Sequence, residues 1–211
     1  MLVYRRLPWL LLYAAAMAYV ESAVVVYLRA LYYPRGFTFP LAPMPPGMAA
    51  IEIGREAATL LMLLGVAMLA GAQRRERMLA FFVSFGVWDV FYYAWLWVFL
   101  GWPPSLLTWD ILFLIPVPWI GPVLAPVIVS LGLVAGGVAL LRWEGTAHAA
   151  EFSRDVMLLM LAGAVLILLS FTLDFEVAVR QLPPPALRWG LFCVGTALAS
   201  AVFLLSLRQR P

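Results

Sequence analysis

Six apolar runs, each close to the length of a bilayer crossing, constrain this chain more than any motif it carries. A helix needs about 20 mostly apolar residues to span the hydrocarbon layer. Residues 7–30, 49–72, 78–101, 120–141, 156–173 and 187–207 meet or approach that length. Together they occupy most of the 211 residues, so the expected organisation is one membrane-embedded helical bundle over 1–211. Composition agrees, with 65% hydrophobic and 12% charged residues, against about 25% charged in an average soluble domain. A water-soluble protein of this size has no interior large enough for so much apolar surface. Soluble enzymes, nucleic-acid-binding domains and disordered tails are thereby excluded, and the bilayer is the expected partner.

The basic residues carry the topology. All 14 are Arg, and the formal net charge is +3. Arg5, Arg6, Arg74, Arg75, Arg77, Arg142, Arg154, Arg208 and Arg210 fall at one set of span ends, whereas Arg29, Arg35, Arg180 and Arg188 fall at the other. The positive-inside bias then puts both termini in the cytoplasm, as an even number of spans requires. A bacterial-type inner membrane is the expected location. The first run also has the arrangement of a signal peptide, but it continues to Leu28, too long for an h-region, and reads as a span.

Two connections on the outer side stand apart. Residues 32–48 combine Pro34, Pro40, Pro43, Pro45 and Pro46 with aromatic side chains, and cannot be helical throughout. Tyr32, Tyr33, Phe37 and Phe39 are placed at headgroup level. After Trp102-Pro103-Pro104, residues 106–115 are too short to cross and are followed by Pro116, Pro118 and Pro122. They are expected to form a short interfacial or re-entrant helix between spans three and four. The predicted fold is thus an all-α polytopic membrane protein with six transmembrane helices and this additional short helix.

Against that apolar background, charged residues inside spans are costly and point to function. They are Glu21, Glu52, Arg55, Glu56 and Asp89, with Asp110 on the short outer segment. At about 1.5 Å of rise per residue, Glu21 lies about 22 Å, Asp89 about 18 Å and Glu56 about 27 Å from the cytoplasmic edge. Glu52 sits one turn above Glu56. Spacing places Glu52 and Glu56 on one face of span two, with Arg55 and Thr59 close by. Asp89, Tyr92, Tyr93 and Trp97 form a stripe on span three, and Met17, Glu21 and Val25 share a face of span one. Arg55 can bind a carboxylate through two prongs and the tyrosines can donate to one.

Five carboxylates facing one or two guanidiniums cannot all stay charged and dry. Protonation, a bound cation or water would relieve them. The leading expectation is therefore a small transporter or channel-like subunit. Its site would be Glu21, Glu52, Glu56, Asp89 and Asp110, taking a cation or relaying protons. Arg55 would tune its charge, and Thr59, Tyr92 and Tyr93 would support it. Oxygen ligands favour a hard divalent ion if the cation is a metal. With one Cys and one His, haem, zinc and Fe–S sites are not expected from this chain. Such a thin bundle is expected to form a homo-oligomer or join other membrane subunits. Two other classes remain open: a non-enzymatic accessory subunit of a larger complex, and an intramembrane enzyme using a carboxylate as acid or base on a lipid or quinone.

Other features have ordinary readings. Gly132 with Gly136 and Gly195 with Ala199 are small-residue pairs suited to close helix packing. Trp88, Trp95 and Trp97 fit an interfacial belt or a flat-ligand cleft. Asp174 and Glu176 are expected to be solvated, and His148 to be an ordinary surface residue.

Overall fold

The computed structural model describes residues 2–143 and 152–208; His148 and Arg210 lie outside the described residues. In chain order the elements are α1 (Leu2–Tyr32), α2 (Pro46–Ala70), α3 (Arg74–Leu100), β1 (Trp109–Phe113), β2 (Trp119–Pro122), α4 (Leu124–Trp143), α5 (Arg154–Thr172), α6 (Phe175–Val179) and α7 (Trp189–Arg208). Among the described residues α1 to α5 are long and apolar enough to cross a membrane, and α7 contributes the shorter apolar stretch Trp189–Leu205.

The burial pattern is that of a bundle whose outside is as apolar as its inside. In the most apolar stretch of α1, α2 and α4 only 28% of residues are buried, against 50% in α3. Trp9, Leu31, Leu61 and Leu69 are among the many large apolar side chains left exposed. In water such faces would drive aggregation, and in lipid they are at home. Helix length, composition and exposure are together those of a helical membrane protein.

The helix α3 is central, packing on α1, α2 and α4. Leu63, Ala67, Leu79, Ala80, Val83 and Val87 form the core there, with Leu10, Ala14 and Ala18 of α1. Polar contacts lock α1 to α3: Ser22 Oγ donates to the Tyr92 carbonyl at 3.0 Å and Trp95 Nε1 to the Ala15 carbonyl at 3.0 Å. Such bonds hold helices together where the hydrophobic effect between them is absent. Close approach of α4 to α3 depends on glycine. A Cβ at Gly86 would lie 2.6 Å from the Ser130 carbonyl oxygen, and one at Gly137 would lie 2.5 Å from Val83 Cγ2.

A second pair, α5 and α7, cross through reciprocal glycines. A Cβ at Gly163 would meet the Gly195 carbonyl at 2.8 Å, and one at Gly195 the Gly163 carbonyl at 2.7 Å. Gly195 and Ala199 thus serve helix packing as expected. The other expected pair is shifted: Gly132 faces open space, and it is Gly137 that admits the neighbouring helix.

Arginines at the ends of helices cap as well as anchor. Arg6 donates to the Leu69 carbonyl at 2.6 Å and Arg77 to the Gly71 carbonyl at 3.0 Å, satisfying groups that the end of α2 leaves free. Glu76 accepts from the Ala72 and Gln73 amides at 2.7 and 3.2 Å, which starts α3. That helix ends at Gly101, whose φ of 62° is the left-handed cap.

The expected short helix at 106–115 is instead a two-stranded antiparallel hairpin, so the fold is not purely α-helical. Trp109 pairs with Pro122, Asp110 with Gly121, Ile111 with Ile120, and Phe113 with Trp119. The segment is a short apolar run bounded by prolines, which periodicity cannot separate from a helix. Its aromatic and β-branched residues suit a pleated, half-buried surface, and Pro116 and Pro118 occupy the connection rather than either strand interior. The hairpin packs through β2 on α4, α5 and α6. Ile120, on β2, is therefore not part of a span; α4 begins at Leu124.

Candidate functional site

The C-terminal half of α1, the segment that follows it, the N-terminal half of α2, the middle of α3, the hairpin and the end of α6 line a cavity of about 470 Å³. Glu21, Glu52, Glu56, Asp89 and Asp110 all line it, as do Arg55 and Tyr92. Every carboxylate proposed for the site thus reaches the same space, although each also has a partner within the chain.

Arg55 lies between α1 and α2. It contacts Glu21 through Nη1, and its Nε donates to Glu52 Oε2 at 2.8 Å. Glu21 also accepts from Thr59 Oγ1 at 2.9 Å, deep in the bundle. Spacing explains the pattern: Arg55 is three residues after Glu52, and Thr59 one turn further along the same face. Glu56 takes a different partner. Its Oε2 accepts the Leu114 backbone N–H at 2.8 Å, so α2 is pinned to the connection that follows β1.

Asp89 is reached from α4. Ser130 Oγ donates to Asp89 Oδ2 at 2.8 Å, an approach that the missing side chain at Gly86 permits. Tyr92 and Tyr93 do not serve Asp89 here. Tyr92 lines the cavity, while Tyr93 is buried edge-on to Tyr92 and tilted against Trp102. Trp97, placed on the same stripe by spacing, is exposed on the outside of the bundle.

Asp110 projects from β1 rather than from a helix, and is buried. Its Oδ1 accepts from Arg29 Nη2 at 3.1 Å. The Arg29 guanidinium lies 4.4 Å from the centre of the Phe37 ring and 3.7 Å from that of Trp102, so cation–π attraction holds it too. Burial pushes the Asp110 carboxyl up to about 7, although Arg29 opposes the shift. In the same loop region burial also raises the Tyr33 phenol, whose oxygen accepts the Ala42 amide at 2.8 Å.

The site therefore contains two kinds of carboxylate. Glu21, Glu52 and Asp110 face a guanidinium, whereas Glu56 and Asp89 are held by a backbone amide and a hydroxyl. Among the described residues no three His, Cys, Asp or Glu side chains are grouped to hold one metal ion. The acids surround the cavity without closing on a point. What such a wall offers is a chain of proton-accepting groups and an excess of negative charge around a space open to small molecules.

Arg29 is the main residue that sequence reasoning left at the rim. Its signal was present, because Glu21, Val25 and Arg29 follow one another at four-residue steps on α1. Ser130 was also legible as the single hydroxyl of an otherwise apolar helix. Nothing local marked Leu114, whose contribution is a backbone amide. Asp174 and Glu176 do not line the cavity. They pair with Arg188 and Arg180 at 2.9 Å, on the exposed surface. In comparisons with protein families, curated proteins and solved structures, no match to this chain is found.

Proposed function

We propose that this protein spans the membrane six times with both termini in the cytoplasm and takes up a cation or relays protons through its acidic cavity. On that topology the cavity lies in the outer half of the bilayer, and the protein acts as a small transporter or channel-like subunit. One observation carries the reading. Five carboxylates from α1, α2, α3 and β1 line one cavity, and among the described lining residues only Arg29 and Arg55 balance them. Glu56 and Asp89, which have neutral donors, are the groups left to exchange a proton or meet a cation. Uncompensated carboxylates in a low-dielectric cavity cost several kcal/mol each, and a proton or a cation removes that cost.

The test is uptake into proteoliposomes holding the full chain, read with a pH-sensitive dye and with cation-flux indicators. Wild type is expected to pass protons or cations at a rate that Glu56→Gln and Asp89→Asn each lower at least tenfold. Equal flux in wild type and both variants, with all three folded, overturns the proposal.

A further inference from the structure

An excess of carboxylates over guanidiniums around the cavity favours a positive occupant, and the walls bear on what kind of cation would fit. Around the carboxylates the surface is mostly aliphatic and aromatic, supplied by Val25, Leu28, Tyr32, Phe37, Met44 and Ile111. At about 470 Å³ the space is in the range of small-molecule sites, which run from about 300 to 1,000 Å³. A bare metal ion needs oxygens converging on one point at about 2–2.6 Å. No such grouping occurs among the described residues. An organic ammonium makes no such demand, because one carboxylate and an aromatic face are enough to hold it.

Unpartnered polar atoms in the wall give a second and independent indication. Trp88 is 5% exposed and lines the cavity, yet its Nε1 makes no hydrogen bond. Arg29 Nη1, from a second buried lining residue, is also without a hydrogen-bond partner. Buried polar groups are nearly always satisfied, so each orphan asks for a group that the chain does not supply. Both are N–H groups and require an acceptor. A ligand oxygen would supply it, and an ammonium on the same ligand would meet the carboxylates.

Resting on the reading of the cavity as a cation site, we infer that its cation is organic: an amphipathic amino alcohol or amino ketone. Its ammonium is placed among Glu56, Asp89 and Asp110, its oxygen toward Trp88, and its apolar body against the aliphatic and aromatic wall. Anionic amphiphiles are repelled by the excess of carboxylates, and neutral ones leave that charge unmet.

Calorimetric titration of the full chain in lipid nanodiscs tests this with 2-amino-1-phenylethanol as the probe. The comparison compounds are 1-phenylethanol, 2-phenylethylamine, mandelate and Mn²⁺. The amino alcohol is expected to bind at least tenfold more tightly than 1-phenylethanol, with mandelate undetected. Glu56→Gln and Asp89→Asn are expected to reduce that advantage to less than threefold. Trp88→Phe is expected to leave 2-phenylethylamine binding intact while abolishing the gain from the hydroxyl, a split that general unfolding would not produce. Amino alcohol binding no tighter than that of 1-phenylethanol overturns the inference. Mn²⁺ binding or proton flux that depends on Glu56 would in that case leave the broader cation reading standing. If amine, Mn²⁺ and proton flux all fail in wild type, both readings fall together.

Discussion

Glu56 on α2 accepts the backbone N–H of Leu114, 58 positions later in the chain, at 2.8 Å. This bond joins a helix to the connection between two strands and closes the cavity on the hairpin side. A strand pairs its amides with a neighbouring strand, but residues beyond the ladder have amides to spare. Leu114 follows the last residue of β1, and Glu56 uses the amide thus freed. The same carboxylate is then both a structural latch and a wall of the cavity.

Replacing Arg55 by Met should destabilise the protein by about 3 kcal/mol, because Glu21 and Glu52 lose a shared cation while remaining buried. That is the lower end for a broken buried pair, since 20% of the Arg55 side chain is exposed. Adding Glu21→Gln and Glu52→Gln should restore most of the loss. Thermal unfolding in detergent checks both steps, and an Arg55→Met protein as stable as wild type would show that the pairing contributes nothing.

Asp110 should make stability depend on pH in the acid-to-neutral range. Its carboxyl is pushed up to about 7 from an ordinary 3.8, so between these values the folded state holds a proton that the unfolded state has lost. The contribution is fully present below pH 3.8 and is lost as pH rises through about 7. The slope is at most about 1.4 kcal/mol per pH unit. Arg29, Tyr33, Tyr92, Tyr93 and Asp89 are the charged and titratable groups that act on it. Unfolding midpoints measured from pH 4.5 to 8.5 should converge with those of Asp110→Asn at low pH and diverge above neutrality, with wild type the less stable.

Gly86→Ala should cost about 1–3 kcal/mol by overpacking. Its new methyl would lie 2.6 Å from the Ser130 carbonyl, a backbone atom that cannot rotate away. Gly132→Ala, four residues before Gly136 on α4, should be neutral or slightly stabilising, because nothing lies within 4 Å of it. A paired stability measurement separates the two, and equal effects would contradict the α3–α4 contact described here.

Much of the site could be read before the fold was known. Glu21, Glu52, Arg55, Glu56 and Asp89 stood out because a charge in an apolar run is expensive, and helical spacing placed Thr59 next to Arg55. Asp110 was identified as well, but on the wrong element. An apolar segment of a few residues carries no helical or strand period long enough to decide between them. Spacing along α3 puts Tyr92 and Tyr93 on the same stripe as Asp89, whereas the hydroxyl that donates to Asp89 is that of Ser130 on another helix.

Hydrophobic run length and charge placement, both local properties, determined that the chain forms long apolar helices of the kind that cross membranes, and which residues in them are costly. Partner choice was decided by tertiary structure: Arg55 with Glu21 and Glu52, Asp89 with Ser130, Asp110 with Arg29, and Glu56 with a backbone amide. The reason is geometric. A hydrogen bond needs its atoms about 3 Å apart, and spacing along one helix says nothing about which residue of another element arrives at that distance. Only the packing of α1, α2, α3 and the hairpin turns separate expensive residues into one cavity.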